Sequence, residues 1–236
     1  MHGSWQTLMA GASLGVIVLT GAAGAEPAVP GKLTAKVAMG SDYMFRGVSE
    51  TSGGPAVMGS FGYEYEWFYG EVFANSIDYG DRGDTQTTLR MEYKAGIKPH
   101  LGPLDLDVGA IYYNFPDSPG ALDQDFYEYY AGASHTMGPV TLGGMFYYSP
   151  EFYMNAGKTQ YYTGTVAIDM GHGITVSGGY GYTNFENDVL GRDYADWNAG
   201  VTANVEGFDL DLRYIDNNIP NFDNDNKAVF TLSKSL

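Results

Sequence analysis

The chain has 236 residues, a net charge of −16 and no cysteine. The acidity excludes nucleic acid as a partner, because phosphate binding needs a basic surface, and the missing cysteine excludes disulfides and thiolate metal sites. Glycine (33) and tyrosine (20) are abundant and mean hydropathy is −0.21, which excludes a bundle of transmembrane helices but not a barrel, whose alternating strands average to neutral.

Residues 1–25 read as a secretory signal. Leu8 to Leu19 is a short apolar run, and Ala23-Gly24-Ala25 offers a small-x-small cleavage site before Glu26. The segment before the run carries His2 but no Lys or Arg. The run is too short to serve comfortably as a membrane anchor, and no later segment reaches the length of a transmembrane helix. Residues 26–236 are therefore expected to form one β domain of ordinary size.

From Leu33 onward the sequence predicts twelve strands. Short connections fall near Glu66, His100–Pro103, Gly138-Pro139, Gly171–Gly173 and Glu206-Gly207. Long ones fall near 42–55, 78–86, 116–125, 149–158, 186–193 and 216–226. Long and short alternate strictly. Antiparallel hairpins with short turns at one end and long loops at the other are the plan of bacterial outer-membrane barrels, and an even strand count returns both termini to the periplasmic side.

The strands carry the matching period of two. Leu89, Met91, Tyr93, Ala95 and Ile97 alternate with Arg90, Glu92, Lys94, Gly96 and Lys98. Tyr162, Gly164, Val166, Ile168 and Met170 alternate with Thr163, Thr165, Ala167 and Asp169, and Trp197 to Val205 behaves likewise. In Phe208 to Asp216, apolar Phe208, Leu210, Leu212 and Tyr214 alternate with Asp209, Asp211 and Arg213. Such a pattern puts one set on each face of a strand; in an outer-membrane barrel the apolar face meets lipid and the charged face a wet lumen. The strand pairing Glu64–Phe73 is less regular, and its facing is not fixed by the pattern. Tyrosines near the long loops (Tyr112, Tyr113, Tyr129, Tyr130, Tyr147, Tyr148, Tyr180, Tyr182) are expected to form an aromatic girdle at headgroup level. A soluble twelve-stranded barrel would need a large apolar interior, which Gly, Ala and Tyr do not supply; a periplasmic β-sandwich is the soluble alternative.

After the signal, histidine is confined to His100, His135 and His172, all in or beside short turns. No long loop offers a His for an outward-facing Ser-His-Asp arrangement, so no enzyme, cofactor or metal is expected and no catalytic residue is assigned. The long loops are acidic instead, and Asp42, Asp78, Asp81, Asp84, Asp123, Asp125, Asp188, Asp223 and Asp225 are assigned to an acidic outer mouth that would concentrate cations. The competing readings are a hydrated loop surface and Ca²⁺ capture by Asp223 to Asn226 or by Asp78, Asp81 and Asp84; the spacing lacks the distal Glu of a calcium loop. Arg46 is placed at the rim, paired with a loop carboxylate such as Asp42 or simply solvated. Lys36, Arg90, Glu92, Lys94, Lys98, Asp105, Asp107, Glu128, Asp169, Asp209, Asp211 and Arg213 are expected to line the lumen. They would either impose a transverse field on solutes or pair with one another and plug the bore.

Ser41-Asp42-Tyr43-Met44-Phe45-Arg46-Gly47-Val48-Ser49, then Pro55-Ala56, Gly59, Tyr63 and Phe68-Tyr69-Gly70, resembles the opening of the TorF family of proteobacterial outer-membrane porins. Ile111 to Pro116, Phe126 to Gly132 and Val229 to Lys234 are similar to later landmarks of that family. The resemblance covers essentially the whole mature chain; it implies an outer-membrane barrel and a channel, with no substrate and no catalytic residues. The chain is thus expected to be an all-β, transmembrane, antiparallel up-and-down barrel of twelve strands in the bacterial outer membrane. It would contact lipid and lipopolysaccharide, be inserted by the barrel-assembly machinery, and pass small hydrophilic solutes or ions with a cation bias. The alternative is a closed barrel with a structural or adhesive role through its acidic loops.

Overall fold

The computed structural model describes residues 30–80, 83–120, 122–187, 192–219 and 228–236. The proposed signal, Asp81, Asp188, Asp223 and Asp225 lie outside the described residues. Twelve strands form the wall: β1 (Lys32–Gly40), β2 (Ala56–Tyr65), β3 (Phe68–Ser76), β4 (Leu89–Ile97), β5 (Leu104–Asn114) and β6 (Phe126–Met137). They continue as β7 (Val140–Ser149), β8 (Thr159–Gly171), β9 (Ile174–Phe185), β10 (Tyr194–Val205), β11 (Phe208–Asn217) and β12 (Ala228–Ser235). Each pairs antiparallel with its chain neighbour. β1 closes on β12, with Lys36 opposite Ser235 and Gly40 opposite Thr231, so the wall has no free edge.

The short turns fall where the sequence puts them. His172-Gly173 (φ 55° and 76°) and Glu206-Gly207 (φ 52° and 81°) take positive φ at both residues, the twist that suits a two-residue hairpin. At the opposite end, consecutive strands are joined by the long connections. A 3₁₀ turn, Tyr153–Asn155, occupies the loop between β7 and β8.

Burial sorts the two faces. On β1, Leu33, Val37 and Met39 are exposed (52%, 50% and 61%), whereas Thr34 and Ala38 are buried (1% and 4%). On β11 the exposed set is Phe208, Leu212 and Tyr214, and Arg213 is buried. The irregular β3 is resolved the same way: Tyr69, Glu71, Phe73 and Asn75 point inward, while Phe68 and Val72 face out. An apolar exterior around a charged interior inverts the order of a water-soluble protein and suits a barrel standing in lipid.

The tyrosines divide differently from a single girdle. Tyr129, Tyr180 and Tyr182 are exposed on the outer face, but Tyr113, Tyr130 and Tyr147 are buried in the lumen. Tyr113 and Tyr147 join Phe73, Ile111, Phe126 and Tyr161 in an apolar layer inside the long-loop half, and Tyr130 borders that layer from mid-wall. The alternation explains it: in Tyr112-Tyr113, Tyr129-Tyr130 and Tyr147-Tyr148 one ring must face each way.

Replacing Leu212, at the middle of β11's outer face, by Arg is expected to cost about 2–4 kcal/mol of barrel stability. The inward-facing Thr165→Arg should cost much less. Urea unfolding of the refolded barrel in lipid vesicles measures both, and equal costs would refute the assignment of faces.

Candidate functional site

The connection after β1, residues 41–55, turns into the barrel instead of standing above it. Met44–Phe45 and Val48–Ser49 pair as a miniature hairpin, with Arg46 and Gly47 at positive φ (50° and 77°) in the turn. Its base is locked by Asp42, whose Oδ1 accepts from Ser49 Oγ at 2.7 Å and Thr51 Oγ1 at 2.6 Å. Asp42 is 2% exposed. It is an internal lock of this loop and no part of a solvent-facing mouth.

From that base the loop crosses the bore. Tyr43 packs on Phe73 of β3 at 6.1 Å, and Phe45 meets Tyr113 of β5 edge-on at 6.0 Å. On the far side Asn217 of β11 donates to the Gly47 carbonyl at 2.6 Å. A Cβ on Gly47 would lie 2.6 Å from Cβ of Asp196 on β10, so only glycine allows both this contact and the turn.

Two buried ion pairs fasten the loop to the wall, with reciprocal charge. Arg46 Nη2 reaches both carboxylate oxygens of Glu128 (β6) at 2.7 Å, and each side chain is 1% exposed. In the other direction Arg90 (β4) donates to Glu50 of the loop. It also donates to Glu92 at 2.7 Å and to the Tyr43 hydroxyl at 2.7 Å. The Phe45 ring lies between the two cations, 4.7 Å from the Arg46 guanidinium carbon and 4.8 Å from that of Arg90. Tyr161 stacks on Arg46 at 4.3 Å. A weakly hydrated planar cation is the one that tolerates such a cage of ring faces. Arg46 is therefore a buried anchor paired with Glu128, not a rim residue paired with Asp42.

Most of the remaining lumen residues stand below this layer, towards the short turns. Lys36, Lys94, Lys98, Asp107, Asp209, Asp211 and Arg213 share the inward face of their strands. Arg213 is tied to Asp211 at 3.0 Å, to Asn198 at 2.8 Å and to Ser177 at 2.9 Å, while Asp209 accepts from Asn204. Asp105 touches His100 and Asp169 accepts from the Gly171 amide, which places both at the short-turn rim. His135 Nδ1 lies 2.7 Å from the Pro103 carbonyl.

Of the acidic loop residues, Asp78 and Asp123 are exposed, and Asp84 binds Thr87 and Gln124 within its own loop region. Asp125 has a specific structural task. It accepts from Tyr112 (2.6 Å), Asn114 (2.8 Å) and the Phe115 amide (2.8 Å). Asp193 repeats this with Tyr182 (3.2 Å), Asn184 (2.7 Å) and the Phe185 amide (2.8 Å). The amide of Phe185, with Asn184 and Tyr182, holds the Asp193 carboxyl below its ordinary range. The two sites share a signal that is local in the sequence, Tyr-x-Asn-Phe with an Asp ten and eight residues on. Glu128 and Asp196 as partners of the loop had no such signal, lying 82 and about 150 residues away from Arg46 and Gly47.

A closed twelve-stranded antiparallel barrel with apolar exterior and charged interior defines the class: an outer-membrane-type β-barrel. The chain belongs to the family described as bacterial protein of unknown function (Gcw_chp), which matches residues 24–235. No curated protein matches the chain. Among solved structures, the NanC porin is similar with a TM-score of 0.57 at 8% identity, covering 84% of this chain and 97% of that one. The KdgM porin gives 0.53 at 7% identity, covering 86% and 97%, and its form in complex with disordered oligogalacturonate gives 0.53 at 8%. At such identities the likeness is one of fold.

Arg46→Ala would leave Glu128 buried without its cation, a loss of about 3–5 kcal/mol. Arg46→Ala with Glu128→Ala should recover part of it. Urea unfolding of the detergent-folded barrel reads the difference, and a loss below about 1 kcal/mol, the range of exposed pairs, would show that the loop is not fastened there.

Proposed function

We propose that the protein is an outer-membrane channel for passive diffusion of small hydrophilic solutes or ions, biased towards cations, with the infolded 41–55 loop as its constriction. The observation that carries the reading is the inward-facing charge below the loop, notably Asp107, Asp209, Asp211 and Arg213, beneath an apolar outer wall. A merely structural barrel has no need of a charged, wettable interior. The likeness of fold to the NanC and KdgM porins and the TorF-like opening motif support the same reading. So do the exposed Asp78 and Asp123 on the long-loop side, where carboxylates would enrich cations.

The second reading is a closed barrel acting through its loops in a structural or adhesive role. It is favoured by one observation: Tyr43, Met44, Phe45 and Arg46 are all buried inside the bore. The two readings part on whether the loop yields.

A planar bilayer holding the refolded barrel under a salt gradient tests them. The expected result is a small cation-selective current, enlarged several-fold when Arg46→Ala and Glu50→Gln release the loop. Anion preference would refute the bias, and a folded barrel silent both as wild type and as the released variant would refute the channel.

A further inference from the structure

Charge pairing differs between the two halves of the lumen. In the long-loop half both Arg46 and Arg90 have carboxylate partners. In the short-turn half, among the described residues, Lys36, Lys94 and Lys98 take part in no ion pair. Two of them converge on one feature. Lys98 Nζ lies 4.1 Å from the Tyr69 ring; Lys94 Nζ lies 4.8 Å from the Tyr130 ring and 5.6 Å from that of Tyr69.

The tyrosines themselves form a bridge across the wall. Their hydroxyls touch, and Tyr69 donates to Asp107 at 2.7 Å. The bridge lies over β4 and β5 where Gly96 faces Gly109; a Cβ on Gly109 would overlap the Tyr130 hydroxyl. The wall is hollowed to seat these rings.

Beside them stand acceptors without donors. Glu71 is the cross-strand partner of Lys94 and is 8% exposed, yet its Oε2 is buried with no hydrogen bond. Thr34 faces Gly62, which faces Glu71; its Oγ1 is likewise buried and unpartnered. Glu71 stands within electrostatic reach of Lys94 and Lys98, yet among the described residues no direct ion pair joins them, and a ligand carrying both complements would bridge them. Groups of this kind left unpaired cost free energy in a low dielectric.

We infer that this patch is a binding subsite for small dipolar solutes, whose carboxylate meets Lys94 and Lys98 and whose hydrogen-bond donor, an ammonium or hydroxyl, meets Glu71 Oε2. Tyr69 and Tyr130 supply the apolar floor under the solute's carbon chain. The inference deepens the channel reading by naming a solute class, and its sidedness follows from geometry: the subsite lies between the constricting loop and the short turns. Binding to it does not require conduction, so the two stand or fall separately.

The test is titration calorimetry of the detergent-folded barrel at low ionic strength, where screening is weak, with β-alanine, propionate and propylammonium as probes. β-Alanine is expected to bind, propionate about tenfold more weakly and propylammonium not at all, since one charge-assisted hydrogen bond is worth about a factor of ten or more. Lys94→Gln and Lys98→Gln should each weaken β-alanine about tenfold; Glu71→Gln should bring it down to the level of propionate. Lys98, being partly exposed, is the substitution that leaves the fold intact, and heat-dependent gel mobility verifies it. Lys234→Gln, beside Phe208 at the outer surface, should change nothing. No β-alanine binding to the wild type, unchanged binding after Lys98→Gln, or equal binding of propionate would each overturn the assignment. A barrel that binds β-alanine yet passes no current would uphold the subsite and refute the channel; current without binding would do the reverse.

Discussion

Charge buried in a medium that cannot solvate it must find an opposite charge, and this constraint organises the outer half of the molecule. The 41–55 loop brings Arg46 and Glu50 into the bore, with Asp42 held at its base by two hydroxyls, and the wall meets the first two with one anion and a cation that Glu92 also engages. Because the signs are reciprocal, the loop cannot be reversed or shifted by a strand without setting like charges face to face. Buried ion pairs contribute little net stability over apolar packing, but they penalise every wrong arrangement. Their value here is register. With Arg46 on Glu128 and Glu50 on Arg90, the turn at Gly47 arrives against Asp196 and Asn217, and Phe45 is fixed between both guanidiniums.

That geometry accounts for the opening motif residue by residue. Asp42, Ser49 and Thr51 close the base; Tyr43 binds Arg90; Phe45 separates the two cations; Arg46 supplies one of them; Gly47 lets the turn touch β10. The motif reads in sequence as the end of a strand followed by a polar loop. It is the packing element of the bore.

The wall itself was legible because its rule is local. A period of two with apolar and charged sets, broken by turns at Glu66, Gly138, His172 and Glu206, requires no knowledge of distant residues. The loop's destination was not legible, for the same reason inverted: Arg46 and Glu128 meet across a lumen, and no local pattern distinguishes a solvated arginine from one whose partner is 82 residues on. The acidic loop residues also carry tasks that their charge alone does not announce: Asp42 is buried at the base of its loop, and Asp125 and Asp193 each close a loop through the same Tyr-x-Asn-Phe arrangement. Hydrogen bonds from neutral donors leave a carboxylate its charge; what they fix is where that charge stands and whether it is free to move.

Barrel width supplies the remaining step. Around eight strands enclose a space that wall side chains can fill, and twelve enclose more. A twelve-stranded wall of this composition, with glycine and alanine at many inward and outward positions, cannot close its own bore. The 41–55 loop fills the long-loop half with Tyr43, Met44, Phe45 and Arg46, and nothing comparable descends into the short-turn half among the described residues. Side chains there are long, charged and partly unpaired, as in Lys36, Lys94 and Lys98. The same excess width therefore leaves room for both features: an infolded loop packed in the long-loop half, and long polar side chains facing inward in the short-turn half.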